Sequence, residues 1–188
     1  MVKSRTVAFL LLCCALGSCK EEALPKPSAF LRLEYPEATH DFFQDKERFS
    51  FFYNAQAIAV EKRNPDWIDL KYPSMKATLV LTYSPVKNNL RALLQDAEKM
   101  TFKHAIKADD IQAIPYENNV NKVYGKMYEV SGNTATQIQF HATDSIANFI
   151  TGALYFYARP NYDSLYPSIA YLRKDIMHLM ETLVWEKH

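Results

Sequence analysis

The sequence predicts an α+β fold, mainly an antiparallel β-sheet packed with two long amphipathic helices. Three observations lead there. Short runs of β-branched and aromatic residues dominate from residue 30 onward. Apolar residues recur at three- and four-residue spacing in only two long segments. Those segments do not alternate regularly with the strand-like runs, which favours an antiparallel sandwich over a doubly wound sheet.

The first strand-like runs cover residues 30–35, 49–53, 57–62, 67–72 and 76–83. A helix is expected over 88–106. Asn88 is its candidate cap, Leu90, Leu93, Leu94, Ala97, Met100 and Thr101 form its stripe, and Arg91, Asp96 and Lys99 fall elsewhere on the wheel. Three more runs follow at 123–130, 134–142 and 146–158, the first two joined by the turn sequence Ser131-Gly132-Asn133, as in an antiparallel meander. After Pro160 and Pro167, the residues Ile169, Leu172, Ile176, Leu179, Met180 and Leu183 form a second stripe, with Arg173, Lys174 and Glu181 off it. The helix-closed meander is similar to PsbP or Mog1-type domains.

The amino terminus has a different character. Lys3 and Arg5 precede an apolar run from Thr6 to Leu16, and the small residues Gly17 and Ser18 lead into Cys19. This is the pattern of a secretion signal. Its uncharged run is well short of the roughly 20 residues that a membrane-spanning helix needs, so it directs export and does not span. Leu16-Gly17-Ser18-Cys19 resembles the lipobox of bacterial lipoproteins. That resemblance implies cleavage between Ser18 and Cys19 and acylation of Cys19 by a diacylglycerol and an N-acyl chain, enough hydrocarbon for stable anchoring. Ala15-Leu16-Gly17 also leaves room for an ordinary signal-peptidase site.

The expected organisation is therefore a signal peptide over 1–18, a tether over 19–28 and a single globular domain over 29–188. The tether contains Lys20-Glu21-Glu22, Pro25 and Pro27 and lacks apolar periodicity. Fully extended, ten residues reach at most about 30 Å, which keeps the domain near its membrane. Lys20-Glu21-Glu22 resembles the acidic export signal of surface lipoproteins in Bacteroidota, although a solvated linker accounts for the same residues. Cys13 and Cys14 leave with the signal, so Cys19 is the one cysteine of the mature chain and no intrachain disulfide can form. The core alone must then stabilise the 170 residues that remain. Loss of Lys3 and Arg5 leaves 20 basic against 21 acidic residues, a balance that gives no basis for nucleic-acid binding.

Few residues suggest chemistry. With Gly125, Gly132 and Gly152 as its only glycines, the mature chain has no phosphate-cradling loop. It also lacks a Gly-x-Ser-x-Gly elbow and a free thiol nucleophile. His40, His104, His141, His178 and His188 are scattered, and the tightest candidate for a metal or catalytic cluster is His141 with Asp144. A turn or cap role for Asp144 is the simpler account. No catalytic residue, metal or cofactor is expected. The adjacent Tyr155, Phe156 and Tyr157 fall on both faces of a strand, and Trp67 and Tyr72 are candidate partner anchors or, more simply, core residues.

The string from Val123 to Ala135, running into Gln137-Ile138-Gln139-Phe140-His141-Ala142-Thr143-Asp144-Ser145, resembles the GldD family of gliding-motility-associated lipoproteins of Bacteroidota. The resemblance continues through Asn148 to Phe156, Pro160 to Leu165 and Met180 to Trp185, and upstream through Tyr72-Pro73, Ala77-Thr78-Leu79 and Asn88-Asn89-Leu90; it is weakest between His40 and Arg63. It implies a non-enzymatic accessory of the gliding machinery, tied to type IX secretion and anchored in the outer membrane, on either its periplasmic or its surface face. No catalytic or cofactor residues are carried over from the family. Two polar turns, Thr143-Asp144-Ser145 and Asn161 with Asp163 and Ser164, are the expected partner-docking loops for motility and secretion proteins. The competing expectation is an envelope enzyme or ligand-binding lipoprotein with a pocket near His141 and Asp144.

Overall fold

A computed structural model describes residues 34–46, 48–104, 108–157 and 161–186. The expected signal peptide, the expected acylation site Cys19 with the cleavage residue Ser18, the expected tether and the first part of the run at 30–35 lie outside the described residues. The elements are β1 (His40–Asp45), β2 (Phe49–Asn54), β3 (Ile58–Glu61), β4 (Trp67–Tyr72), β5 (Ala77–Pro85), α1 (Leu90–His104), β6 (Asp110–Asn118), β7 (Val123–Ser131), β8 (Thr136–Thr143), β9 (Asn148–Phe156), α2 (Tyr162–Thr182) and β10 (Val184–Trp185). The fold is the expected α+β, with antiparallel sheets and two helices.

Seven strands form one sheet in the order β3-β4-β5-β9-β8-β7-β6, and β1, β2 and β10 form a smaller second sheet. The large sheet consists of two meanders, β3–β5 and β6–β9. They meet where β5 pairs with β9 over nine residues, from Ala77 opposite Phe156 to Pro85 opposite Asn148. One face of this sheet presents Leu79, Leu81, Met127, Ile138, Phe140, Ile150 and Leu154 to the core. Onto it pack α2, through Leu172, Ile176, Leu179 and Met180, and the small sheet, through Phe43, Phe49 and Phe51. Burying each such side chain contributes about 1.5–3 kcal/mol, so this interface holds most of the stability.

The opposite face is more polar and more thinly covered. It carries Thr82, Tyr128, Gln139, His141 and Thr151 beneath α1. The stripe read from the sequence does face this sheet, but between Leu90 and Lys103 only Thr101 is buried, and Met100 and Phe102 are exposed. Polar contacts hold the helix in place: Thr101 Oγ1 to Gln139 Oε1 at 3.2 Å, and Glu98 to Lys126 Nζ at 3.4 Å and Tyr128 Oη at 3.3 Å.

Several element expectations need correction. The described part of the run at 30–35, Glu34 and Tyr35, is not strand; the first strand begins at His40, in a segment the sequence left unassigned. Strand β6 was missed because Pro115 interrupts it and its residues alternate only between exposed and half-buried; it is an edge strand, where a missing N–H costs no ladder bond. Asn88 is not the helix cap, since its φ of 59° is left-handed, and Asn89 directly precedes α1. Pro167 lies inside α2 rather than before it, while Asn161 is the true cap, accepting from Ser164 N. A proline in the sixth helical position loses one backbone bond, which the buried stripe beyond it outweighs. Helix α2 stops at Thr182, and Val184 and Trp185 turn into a short strand beside β2.

Two expected outcomes follow from this packing. Native-state hydrogen exchange will show α1 amides opening at lower free energy than those of α2, because α1 buries almost no apolar surface; equal protection would contradict the packing. Gly125→Ala will lower the unfolding free energy by about 1–3 kcal/mol in urea titration, because a Cβ there would sit 2.0 Å from the carbonyl oxygen of His141, which backbone pairing holds in place.

Candidate docking surfaces

The antiparallel order gives the molecule two ends. Strand β9 runs between them, about 26 Å for nine residues. At one end lie the β1–β2, β3–β4, β6–β7 and β8–β9 turns with the carboxyl end of α2. At the other lie the β4–β5 and β7–β8 connections and the amino end of α2, whose Tyr162 N–H donates to Asn133 Oδ1 at 3.0 Å. Consequently the two turns expected to dock partners do not form one surface. Thr143, Asp144 and Ser145 sit at the β8–β9 end, whereas Asn161, Asp163 and Ser164 sit at the α2 end.

Within the β8–β9 turn the residues divide by role. Asp144 Oδ1 accepts from the N–H groups of Ile146 (2.9 Å), Ala147 (2.8 Å) and Asn148 (2.9 Å), and Oδ2 accepts from Asn148 Nδ2 at 2.7 Å. Partial burial pushes this carboxyl up, but the donated hydrogen bonds prevail and hold it below the usual carboxylate range. Thr143 is buried and donates to Asn148 O at 2.5 Å. Both therefore shape the turn, leaving Ser145 and Ile146 facing outward; Ile146 is 74% exposed. Sequence reading missed Ile146 because it had been placed inside a strand.

Its neighbours make this end apolar at its tips and rigid beneath. Val120, in the β6–β7 turn, is 91% exposed, and Trp67 at the start of β4 is half exposed, whereas Tyr72, the other proposed aromatic anchor, is core. Under them Asn148 Oδ1 accepts from Tyr83 Oη at 2.8 Å. The Arg48 guanidinium lies 4.4 Å over the Tyr83 ring and pairs with Asp45 and Asp66, both at 2.5 Å. Trp185 Nε1 donates to Lys122 O at 3.1 Å, tying the carboxyl end of α2 to the β6–β7 turn.

His141 and Asp144, proposed together, have separate surroundings. His141 points under α1 into a partly open cavity of about 80 Å³ shared with Thr82, Thr101, Tyr128, Gln139 and Thr151. That is room for two or three waters. Its ring stacks on Phe149 with centroids 5.9 Å apart, and its buried Nδ1 has no hydrogen-bond partner. Burial, reinforced by Lys126 and opposed by Glu98, lowers its pKa to about 4, and Asp144 takes no part. Elsewhere, burial pushes Asp175 up to about 6, against the hydrogen bond from Asn54 Nδ2 at 2.7 Å and the influence of His40. Among the described residues no group of three or more His, Cys, Asp or Glu side chains is placed to hold a metal ion, and no helix is long and apolar enough to cross a membrane.

These two groups predict a pH response. His141 binds its proton more weakly folded than unfolded, so its contribution to stability is lost as pH falls from about 6.5 toward 4. Asp175 binds its proton more tightly folded, so its contribution grows as pH falls from about 6 toward 4. Over this window, His141→Gln should therefore lose less stability than the native chain, and Asp175→Asn should lose more, in urea titrations at fixed ionic strength. Reversed slopes would contradict the assignments.

A family model described as gliding motility lipoprotein GldD matches residues 20–185, which takes in every strand and helix described above. Among curated proteins, none matches the chain.

Proposed function

The chain belongs to the gliding motility lipoprotein GldD family, and from that premise we propose that it is a non-enzymatic accessory of the gliding machinery, working with the type IX secretion system of the same envelope. The family match over residues 20–185 carries this reading. It begins one residue after Cys19, where the lipobox places the mature amino terminus. Cys19 would carry the acyl chains and hold the domain at the outer membrane, the family's lipoprotein character being its support.

The braced β8–β9 end is the surface we assign to partner contact. Its exposed Ser145 and Ile146 stand on a turn fixed by Asp144 and Asn148, and Val120 on one fixed by Asn118 and Trp185, so a partner would meet a preorganised patch at little ordering cost. The competing ligand-binding reading has the His141 cavity in its favour, but that space is of water size and Asp144 is committed to its turn.

The test is made in the gliding bacterium, with labelled palmitate and protease shaving of intact cells. The native chain should take up label, Cys19→Ala should not, and an Ile146→Glu, Val120→Glu chain that folds normally should lose spreading and secretion. An unlabelled native chain would refute the anchor. Full motility of the Glu variant would remove the docking surface.

A further inference from the structure

We propose that the opposite end of the domain, around the amino terminus of α2, rests on the lipid headgroups of the membrane that anchors the chain, so that the β8–β9 end points away from the bilayer. The inference rests on the reading of Cys19 as acylated and adds an orientation to it.

The path of the chain carries the argument. Strand β1 runs from His40 toward the β1–β2 turn, so the residues before it head for the α2 amino end. Those residues are bound to α2 along the way. The His40 ring lies 3.9 Å from that of His178, Tyr35 lies 4.9 Å from Tyr171, and Tyr35 Oη is 2.6 Å from Ser168 Oγ. Moving back along the chain from His40 to Tyr35 thus means moving up α2 from residue 178 to 168, toward its first turn. Cys19 is fifteen residues before Glu34, a reach of at most about 50 Å at full extension. A chain delivered at this end meets its anchor without doubling back along the roughly 26 Å sheet.

The side chains displayed there suit a headgroup layer. Tyr157 is 70% exposed and Tyr166 46% exposed, and the Tyr162 and Tyr166 rings pack 5.9 Å apart at the start of α2. Beside them Phe156, Tyr157 and Leu165 line an open groove. Tyrosines combine an apolar ring with a hydroxyl that stays wet, which is why they concentrate at membrane–water interfaces. At the far end the most exposed residues, Val120 and Ile146, are aliphatic and lack that polar handle, and the half-exposed Trp67 is the aromatic among them.

The experiment uses the full acylated chain in vesicles of phosphatidylethanolamine and phosphatidylglycerol doped with a headgroup spin label. Tyr157→Trp, Tyr166→Trp and Ile146→Trp are compared with the native protein, whose Trp67 and Trp185 give the background. The fluorescence added at positions 157 and 166 should be quenched about twofold more than that added at 146. Equal quenching, or stronger quenching at 146, would overturn the orientation while leaving the anchor intact. Vesicles that fail to retain the chain, with no palmitate incorporated, would instead overturn the anchor itself and this inference with it.

Discussion

The antiparallel pairing of β5 with β9 is the constraint on which the rest of the structure depends. Each meander on either side of it is local in sequence, but neither alone presents a face wide enough to bury α2. Joining them brings Leu79 opposite Leu154 and Leu81 opposite Gly152, so that one row of apolar side chains crosses the middle of the sheet. Gly152 matters because it also pairs with Phe140, whose ring lies in the space a Cβ would occupy, 2.0 Å from it. The ring lies flat against the strand, and α2 can settle over it. Register here is strongly specified, because a one-residue slip would turn Leu79 and Leu81 toward the polar side.

That polar side explains the unequal standing of the two helices. Strand β8 is buried along its whole length, so its outward residues Gln137, Gln139 and His141 need partners or must accept desolvation. Gln137 and Gln139 bond to Thr134 and Thr136, and Thr101 reaches down from α1. His141 stays neutral between Tyr128 and Phe149. A helix seated on such a surface gains specificity from hydrogen bonds but little hydrophobic free energy, whereas α2 gains the reverse. The apolar attachments of the fold lie on the side where residues 34–40 run along α2.

Much of this was legible in the sequence wherever periodicity and burial coincide. Residues 67–72 alternate cleanly and are β4 with the same limits; the Ser131-Gly132-Asn133 signal does close β7 onto β8, with Gly132 at a φ of 98°. The failures share a cause. His40, Asp41, Asp110 and Pro115 belong to edge strands, whose outward residues need not be apolar, so no pattern marks them. Pro167 looked like a boundary because proline favours the first turn of a helix and the stripe read from the sequence begins only beyond it. At the candidate sites, the turn role of Asp144 could be read from residue type alone, since aspartate before a tight turn caps its own backbone. That the two polar turns lie at opposite ends follows from the one strand, β9, that separates them, a consequence the run at 146–158 already carried.

The separation of the ends gives a mechanical argument for how a small anchored domain without disulfides could act in a moving envelope. Load applied at the β8–β9 tips would pass through Asn148 and Tyr83 to Arg48, which links the β1–β2 and β3–β4 turns through Asp45 and Asp66. From there it reaches β1, and β1 leads directly into the segment bound along α2. Along this route the force runs parallel to the strands, so the antiparallel ladders are sheared along their length and many backbone bonds must fail together. Pulling across the sheet would instead open them one at a time. With a partner at those tips and the anchor at the opposite end, as proposed, the line between them would follow the stiff axis of the sheet, and the thinly attached α1, on the outer face, would lie off that line.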